Sequence, residues 1–156
     1  MSPDPLTEEQ WYAEGLCFSC TQCGNCCSGP PGYVWFDNDE LVRMADFMNM
    51  STDEFALRYT RWIRGRRSLN EIKRGRVYDC VFLERDEAGR AGCSIYPVRP
   101  TQCKTWPFWT ENLESRASWK GAAADCPGMS KGLEGDGKLV PLSQIRIQRD
   151  STPDGR

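Results

Sequence analysis

The sequence contains no histidine among its 156 residues. This absence excludes histidine-containing zinc sites, histidine general bases and the iron sites that need two histidines. Any metal site here must use thiolates or recruit oxygen ligands. Long apolar runs are also absent, so no segment is typical of a transmembrane helix.

The chain also lacks a large excess of either charge, because it has 20 basic and 22 acidic residues. A net charge of −2 gives no bulk attraction to membranes or nucleic acid, and neither is an expected partner. The first ten residues have no basic start and no apolar stretch, so they do not form a signal peptide. The expected location is the cytoplasm, where thiols stay reduced.

Cysteine is what the chain has in excess, with nine in all. Five of them lie within eleven residues, and the other four are spread over the second half of the chain. Their positions are Cys17, Cys20, Cys23, Cys26, Cys27, Cys80, Cys93, Cys103 and Cys126. The odd count and the expected location disfavour a disulfide framework. The repeated two-residue intervals indicate a metal or iron–sulfur site.

The interval Cys20-x-x-Cys23-x-x-Cys26 is the ligand spacing of cubane clusters in bacterial ferredoxins. In those proteins a distant cysteine followed by proline completes the set, and Cys126-Pro127 has that form. Zinc also accepts four thiolates, in a tetrahedral arrangement. The spacing favours an iron–sulfur cluster slightly over zinc and leaves both open.

The adjacent pair Cys26-Cys27 constrains the geometry further. In an extended backbone, neighbouring side chains point to opposite faces, so the two sulfurs are expected to diverge. This favours two neighbouring centres that share eight cysteines, with Cys17 as the spare. Because Cys17-x-x-Cys20 repeats the interval, Cys17 can also substitute as a ligand.

Local patterns predict an α+β fold: a small single domain with short helices, a β-hairpin and irregular loops wrapped around a cysteine-ligated metal centre. Helices are expected after the capping sequences Asp37–Glu40 and Ser51–Glu54. The hairpin is expected to have Cys80 and Cys93 on opposite arms. Two further expectations are a strand or loop approach over Trp119–Ala124 and a frayed tail from Gln148. The domain boundaries are residues 1–15 for an N-terminal helix and lead-in, 16–132 for the metal-binding domain and 133–156 for a C-terminal extension.

Residues 58–76 form a basic run with Glu71 as its only acid. Arg58 and Arg61 are three residues apart and are expected to share a helix face. One interpretation is a site for an acidic partner, nucleic acid or an anionic cofactor. The acidic balance of the whole chain favours the other interpretation, a solvated surface.

The segment Cys20-Thr-Gln-Cys23-Gly-Asn-Cys26-Cys27 resembles the CxxCxxCC signature of the YkgJ-type cysteine-cluster proteins. These are described as zinc- or iron-chelating domains, and flagellin lysine N-methylases are related to them. The likeness spans roughly residues 18–128. It continues in Cys80–Leu83, Cys93–Cys103, Trp106–Phe108 and Cys126–Gly128.

The resemblance implies a metal-ligand set of eight cysteines, which leaves Cys17 outside. The set is Cys20, Cys23, Cys26, Cys27, Cys80, Cys93, Cys103 and Cys126. Arg99 lies in the same family-like stretch between Pro97 and Pro100, which stiffen the approach to Cys103. We expect Arg99 to contact the bound metal group and offset the negative charge of the thiolates.

Three functions are consistent with these features. The first is a metal-binding protein with a redox or metal-handling role, served by a protein redox partner in the redox case. The second is an interaction module that structural zinc holds together. The third is a methylase-like enzyme, which is disfavoured because the chain has no glycine-rich cofactor loop and no nucleophile–base pair.

Overall fold

The computed structural model of the chain describes residues 9–29 and 32–153. It confirms the α+β class, with short helices and short antiparallel strands. The chain forms two compact units. We call residues 24–104 with Pro153 the central unit, and residues 9–23 with 105–152 the split unit, because two separate stretches build it.

The elements are short throughout. The helices are α1 (Asn38–Phe47), α2 (Thr52–Tyr59), α3 (Thr101–Thr105), α4 (Thr110–Leu113), α5 (Arg116–Ala123), α6 (Pro127–Leu133) and α7 (Leu142–Ser151). The strands are β1 (Leu16–Cys17), β2 (Ser28–Gly29), β3 (Thr60–Ile63), β4 (Arg66–Leu69), β5 (Glu71–Arg74), β6 (Val77–Cys80), β7 (Leu83–Arg85), β8 (Ala91–Cys93) and β9 (Leu139–Val140). Single 3₁₀ turns occur at Gln10–Tyr12, Asn25–Cys27 and Tyr96–Val98. Within the described ranges, no helix combines the length and apolar character needed to traverse a bilayer.

Both predicted helix starts in the central unit are confirmed. The Asp37 carboxylate accepts from the backbone N–H of Glu40 at 2.8 Å, and the Glu40 carboxylate accepts from that of Asp37 at 3.2 Å. This capping box satisfies two of the N–H groups that a helix N-terminus leaves unpaired. At α2, the Ser51 hydroxyl accepts from the N–H of Glu54 at 3.1 Å.

The basic run lies mainly on strands, so the predicted helix face shared by Arg58 and Arg61 is wrong. Arg58 ends helix α2, whereas Arg61 lies in β3, which pairs with β4 in an antiparallel hairpin. The hairpin turns at Arg64-Gly65, whose φ angles are 50° and 79°. Two successive positive φ angles suit the tight turns that join twisted strands. β5 and β6 form the next hairpin, and β2 pairs with the other edge of β6.

The predicted cysteine hairpin exists in part. β7 pairs with β8, and Cys93 lies opposite Leu83. Cys80, however, belongs to the preceding strand β6, where it lies opposite Glu71. The chain turns between Cys80 and Leu83, so the two cysteines lie on different sheets.

The split unit joins segments that are far apart in sequence. β1 pairs with β9, so Leu16 lies opposite Val140. Of the two alternatives for Trp119–Ala124, the strand is wrong, because residues 116–123 form α5. The Ser115 hydroxyl caps this helix by accepting from the N–H of Ser118 at 3.0 Å. The expected frayed tail from Gln148 is also wrong as far as Ser151, because α7 continues to that residue. The predicted N-terminal helix begins outside the described residues, and its later part is the single turn Gln10–Tyr12.

Each unit has its own apolar core. The core of the central unit contains Leu41, Met44, Ala45, Phe55, Leu69, Phe82 and Ile95. The core of the split unit contains Tyr12, Phe108, Leu113, Trp119, Ala123, Met129 and Ile145. Burial of Ile145 gives the C-terminal helix α7 an apolar anchor in the split unit.

Candidate metal centre

The central unit brings five free cysteines into one neighbourhood. They come from four separate segments of the chain. Cys26 and Cys27 lie on a 3₁₀ turn, Cys80 ends β6, Cys93 ends β8 and Cys103 lies in α3. The ionisation of each of these thiols responds to others in the group, which places them within electrostatic reach of one another.

The adjacent thiols of Cys26 and Cys27 are hydrogen-bonded to each other, so the expectation that their sulfurs diverge is wrong. The backbone here is a 3₁₀ turn rather than an extended strand. Successive side chains in such a turn are about 120° apart, which lets neighbouring sulfurs approach. Gly24 starts the turn with φ of 80°, and a Cβ atom at Gly24 would lie only 2.7 Å from Cβ of Ala91.

This hydrogen bond separates the two thiols in acidity. As acceptor of the bond from Cys27, Cys26 has its pKa lowered to about 7, with a smaller contribution from the charge of Arg99. As donor, Cys27 has its pKa raised, and burial and the charge of Cys26 act in the same direction. Cys26 is therefore the more readily ionised of the two thiols near neutral pH, and Cys27 holds its proton.

The remaining three thiols of the group ionise less readily than a free cysteine. Burial raises the pKa of Cys80 to about 11, and it also raises the pKa values of Cys93 and Cys103. The charges of neighbouring thiolates add to the rise at all three. Neighbouring thiolates raise the pKa values of four of the five thiols, so a bound cation would relieve this repulsion.

Arg99 provides positive charge next to this group. Its guanidinium donates to the backbone carbonyl of Tyr96 at 2.7 Å and stacks 3.8 Å from the centre of the Tyr96 ring. This charge lowers the pKa of Cys26, and at Cys93 and Cys103 it opposes the larger rise that burial causes. Arg99 thereby favours the thiolate form that binds metal.

Asp79 fastens two of the cysteine segments together. Its carboxylate, only 1% exposed, accepts from the Ser28 hydroxyl at 2.6 Å and from Arg85 at 2.5 Å, and it pairs with Arg74 at 3.3 Å. The bond to Arg85 contributes most to lowering the pKa of Asp79. Because Ser28 follows Cys27 and Asp79 precedes Cys80, this network fixes the 3₁₀ turn against β6. Sequence reasoning missed it, although an acid beside a cysteine and between two arginines was a usable signal.

Buried polar side chains also hold the Cys103 segment. The Gln102 amide, 2% exposed, accepts from the backbone N–H of Trp35 at 3.0 Å and donates to the carbonyl of Tyr33 at 2.8 Å. The Glu40 carboxylate accepts from the N–H of Thr101 at 2.6 Å. These bonds attach α3 to the chain around α1 and set the position of Cys103.

The split unit contains the other four cysteines. Cys17 lies in β1, Cys20 and Cys23 follow it in a loop, and Cys126 is the N-cap of α6. The Cys20 sulfur accepts from the N–H of Gln22 at 3.3 Å. That the eight predicted ligands form common centres stays a prediction.

Close backbone packing holds the first cysteines of the split unit. A Cβ atom added at Gly132 of α6 would lie 1.9 Å from the carbonyl oxygen of Cys17. One added at Gly128 would lie 2.3 Å from that of Ser19. Only glycine permits so close an approach of the helix to the cysteine segment.

The donor set of the central unit fits a thiophilic metal such as zinc or iron. Within residues 9–29 and 32–153, however, no three cysteine or carboxylate side chains are already arranged to hold an ion. The residues are therefore gathered but are not in ligating positions. Binding would require the sulfurs to close to about 2.3 Å from the metal.

Comparison with known proteins agrees with this donor chemistry. An uncharacterized protein of Methanocaldococcus jannaschii, MJ0661, is 30% identical over 99 residues, which are 62% of this chain. The chain spans about half the length of that relative, since the match covers 48% of it. No solved structure matches the chain. Residues 19–127 match the CxxCxxCC family, whose description is "putative zinc- or iron-chelating domain", and the chain belongs to that family.

Proposed function

We propose that this protein binds zinc or iron, as an ion or as an iron–sulfur cluster, through cysteine thiolates and has a metal-handling or redox role. The observation that carries the proposal is the gathering of five mutually interacting thiols from four segments of the central unit. The proposed ligands there are Cys26, Cys27, Cys80, Cys93 and Cys103. The proposed ligands of the split unit are Cys20, Cys23 and Cys126, and Cys17 is the spare.

Two features favour metal handling over a purely structural zinc site. A tetrahedral zinc ion needs four thiolates, and the central unit offers five. Cys26, which ionises most readily of the five, is exposed to solvent. A fifth thiol beside the four that one ion needs, together with the exposure of the Cys26 residue, gives an incoming chelator or acceptor protein a route for ligand exchange.

Arg99 is the proposed charge-compensating residue. A divalent ion with four thiolates carries a net charge of about −2. The guanidinium cannot lose its proton, so it acts as a fixed positive charge rather than as a proton shuttle. Its stacking on Tyr96 keeps that charge close to the thiols.

Metal content is the direct test. The protein is purified without oxygen, and its zinc, iron and acid-labile sulfide are measured. A brown protein with sulfide selects the iron–sulfur form that the cubane-like spacing favours, whereas a colourless protein with stoichiometric zinc selects zinc. Protein lacking both metals, which also takes up neither when reconstituted, would contradict the proposal.

Cysteine variants test the ligand assignment. Cys103→Ser should lose most of the bound metal and broaden the thermal unfolding transition, because coordination supplies folding free energy. Cys17→Ser is the matched control and should keep the wild-type metal content. Equal loss from both variants would show that the assignment is wrong.

A chromophoric chelator separates handling from structural binding. Handling predicts transfer of metal to the chelator within minutes while the fold persists. Transfer that occurs only together with unfolding, followed by circular dichroism, would instead favour zinc as a structural element.

Arg99 variants test charge compensation. Arg99→Lys should retain part of the metal, because the positive charge survives while the planar group is lost. Arg99→Gln should retain less. Wild-type metal content and, for an iron–sulfur form, wild-type reduction potential in both variants would make Arg99 an ordinary surface residue.

A further inference from the structure

The basic run separates one part of the surface electrostatically from the rest of the chain. Residues 58–76 contain eight basic residues and one acid, whereas the other 137 residues contain 12 basic and 21 acidic ones. The net charge of −2 is thus the sum of +7 on this segment and −9 on the rest of the chain. Such asymmetry concentrates any attraction for an anion on this segment.

The structure places most of this charge on the hairpins β3–β4 and β5–β6 of the central unit, which we call the basic hairpins. Arg64 lies at the turn of the first, and Lys73 and Arg76 lie at the end of the second. All three are exposed. Within the part of the chain that the structure describes, none of the three has a carboxylate at ion-pair distance, in contrast to Arg61, which pairs with Glu71 at 2.8 Å.

An exposed indole lies among these charges. Trp62 of β3 is 64% exposed, and Arg67, its cross-strand partner, lies with its guanidinium 4.5 Å from the indole centre. A second pair of this kind follows, with Arg66 lying 4.2 Å from the buried ring of Trp35. An exposed aromatic side chain offers a stacking surface to a partner, and the cations around Trp62 favour an anionic one.

We propose that the basic hairpins bind single-stranded nucleic acid. Cations that track a phosphate backbone, together with an aromatic platform for a base, are the combination by which proteins hold single strands. Seven of the eight cations are arginines, the residue that binds phosphate in bidentate fashion and also stacks on bases. Three of them, Arg58, Arg61 and Arg74, already pair with carboxylates. An acidic protein is the competing partner, because tryptophan also anchors protein interfaces, and competition with polyglutamate distinguishes the two. This activity is independent of the proposed metal centre.

Fluorescence anisotropy with a labelled 20-nucleotide oligouridylate measures the binding on the full-length protein as purified. We expect affinity to fall as salt rises from about 50 to about 200 mM, with a slope of about −0.7 per phosphate contact. The triple variant R64E/K73E/R76E should bind more than about tenfold more weakly and lose about two units of that slope. Trp62→Ala should weaken binding about tenfold and leave the slope unchanged.

The matched control changes three exposed cations outside the basic run. R43E/K120E/K131E alters the net charge by the same amount as the triple variant and should retain most of the affinity. Circular dichroism and metal content confirm that each variant is folded and loaded as the wild type is.

Four results would overturn the proposal. The first is equal weakening by both triple variants, which would indicate bulk charge alone. The second is wild-type affinity of Trp62→Ala. The third is equal binding of a duplex of the same length, and the fourth is displacement of the oligonucleotide by polyglutamate at equal charge concentration, which would identify a docking surface for acidic proteins.

Discussion

The two units hold their cysteine segments by different means. In the central unit, buried polar side chains attach the segments to one another, through Asp79 to Ser28, Gln102 to Trp35 and Glu40 to Thr101. In the split unit, glycines of α6 bring that helix against the backbone of the first cysteine segment. The first arrangement depends on hydrogen-bonding groups, and the second depends on the absence of a side chain.

This difference predicts different responses to substitution. A hydrogen-bonded network can lose one partner and retain the others, so its losses are graded. At Gly128 and Gly132, a Cβ atom would lie less than 2.5 Å from a backbone oxygen. Even a methyl group there would force the main chain to move. The split unit should therefore fail sharply, and the central unit should weaken stepwise.

The largest effect is expected at Gly132. Gly132→Ala should lower the free energy of unfolding by about 3 kcal/mol, because the new methyl group meets the Cys17 carbonyl oxygen. Gly121→Ala is the control, since Gly121 is an exposed residue of α5 with open space around it. That change should stabilise by about 0.5–1 kcal/mol, as in other exposed helices. Chemical denaturation of both variants measures the difference, and equal stabilities would refute close packing at α6.

A smaller effect is expected at Asp79. Asp79→Asn keeps the shape of the side chain but loses its charge towards Arg85 and Arg74, so unfolding should become easier by about 2 kcal/mol. Metal content should also fall, because the network positions the segments of Cys27 and Cys80. Wild-type stability together with wild-type metal content would show that Asp79 has no positioning role.

The stability difference between the wild type and Asp79→Asn should depend on pH, and its sign follows from the lowered pKa of Asp79. A carboxylate whose folded pKa lies below its unfolded value stabilises the protein above the unfolded value, about 4, and this stabilisation is lost as pH falls through the folded pKa. The stability gap between the wild type and Asp79→Asn should therefore be constant near neutral pH and narrow below about pH 4. A gap that widens on acidification would contradict the assigned cause.

The smallest effect is expected at Ser28. Ser28→Ala removes one neutral donor from Asp79 while both arginines remain, so the loss should be about 1 kcal/mol. Denaturation midpoints of the single and double variants at Ser28 and Asp79 measure their coupling. Strictly additive losses would show that the two side chains do not act as one network.

Features with local causes could be predicted from the sequence. The capping residues Asp37 and Ser51 fix their helix starts through bonds to residues three positions away. The α+β class follows from equally local patterns. The prediction for α5 is wrong although its cause is equally local, because the capping hydroxyl of Ser115 bonds to an N–H only three residues away.

Features of the candidate site depend on contacts between distant segments. The Asp79 network joins residues 51 positions apart, and no periodicity in either segment indicates it. The closeness of Cys26 and Cys27 depends on a 3₁₀ turn that Gly24 starts against Ala91 of β8. Sequence reasoning assumed an extended backbone there, and only the long-range packing excludes it. The eight-cysteine ligand set itself stays a prediction.

The pairing of β1 with β9 has a consequence for synthesis on the ribosome. Cys17 and its partner Leu139 are separated by 122 positions, so β1 leaves the ribosome long before its partner exists. At about 5–20 residues per second, the delay is on the order of 10 s. During that interval residues 24–104 of the central unit emerge. The thiols of Cys17, Cys20 and Cys23 still lack their final packing at this stage. Nascent chains are thus most exposed to oxidation or to mistaken metal capture at their first cysteines.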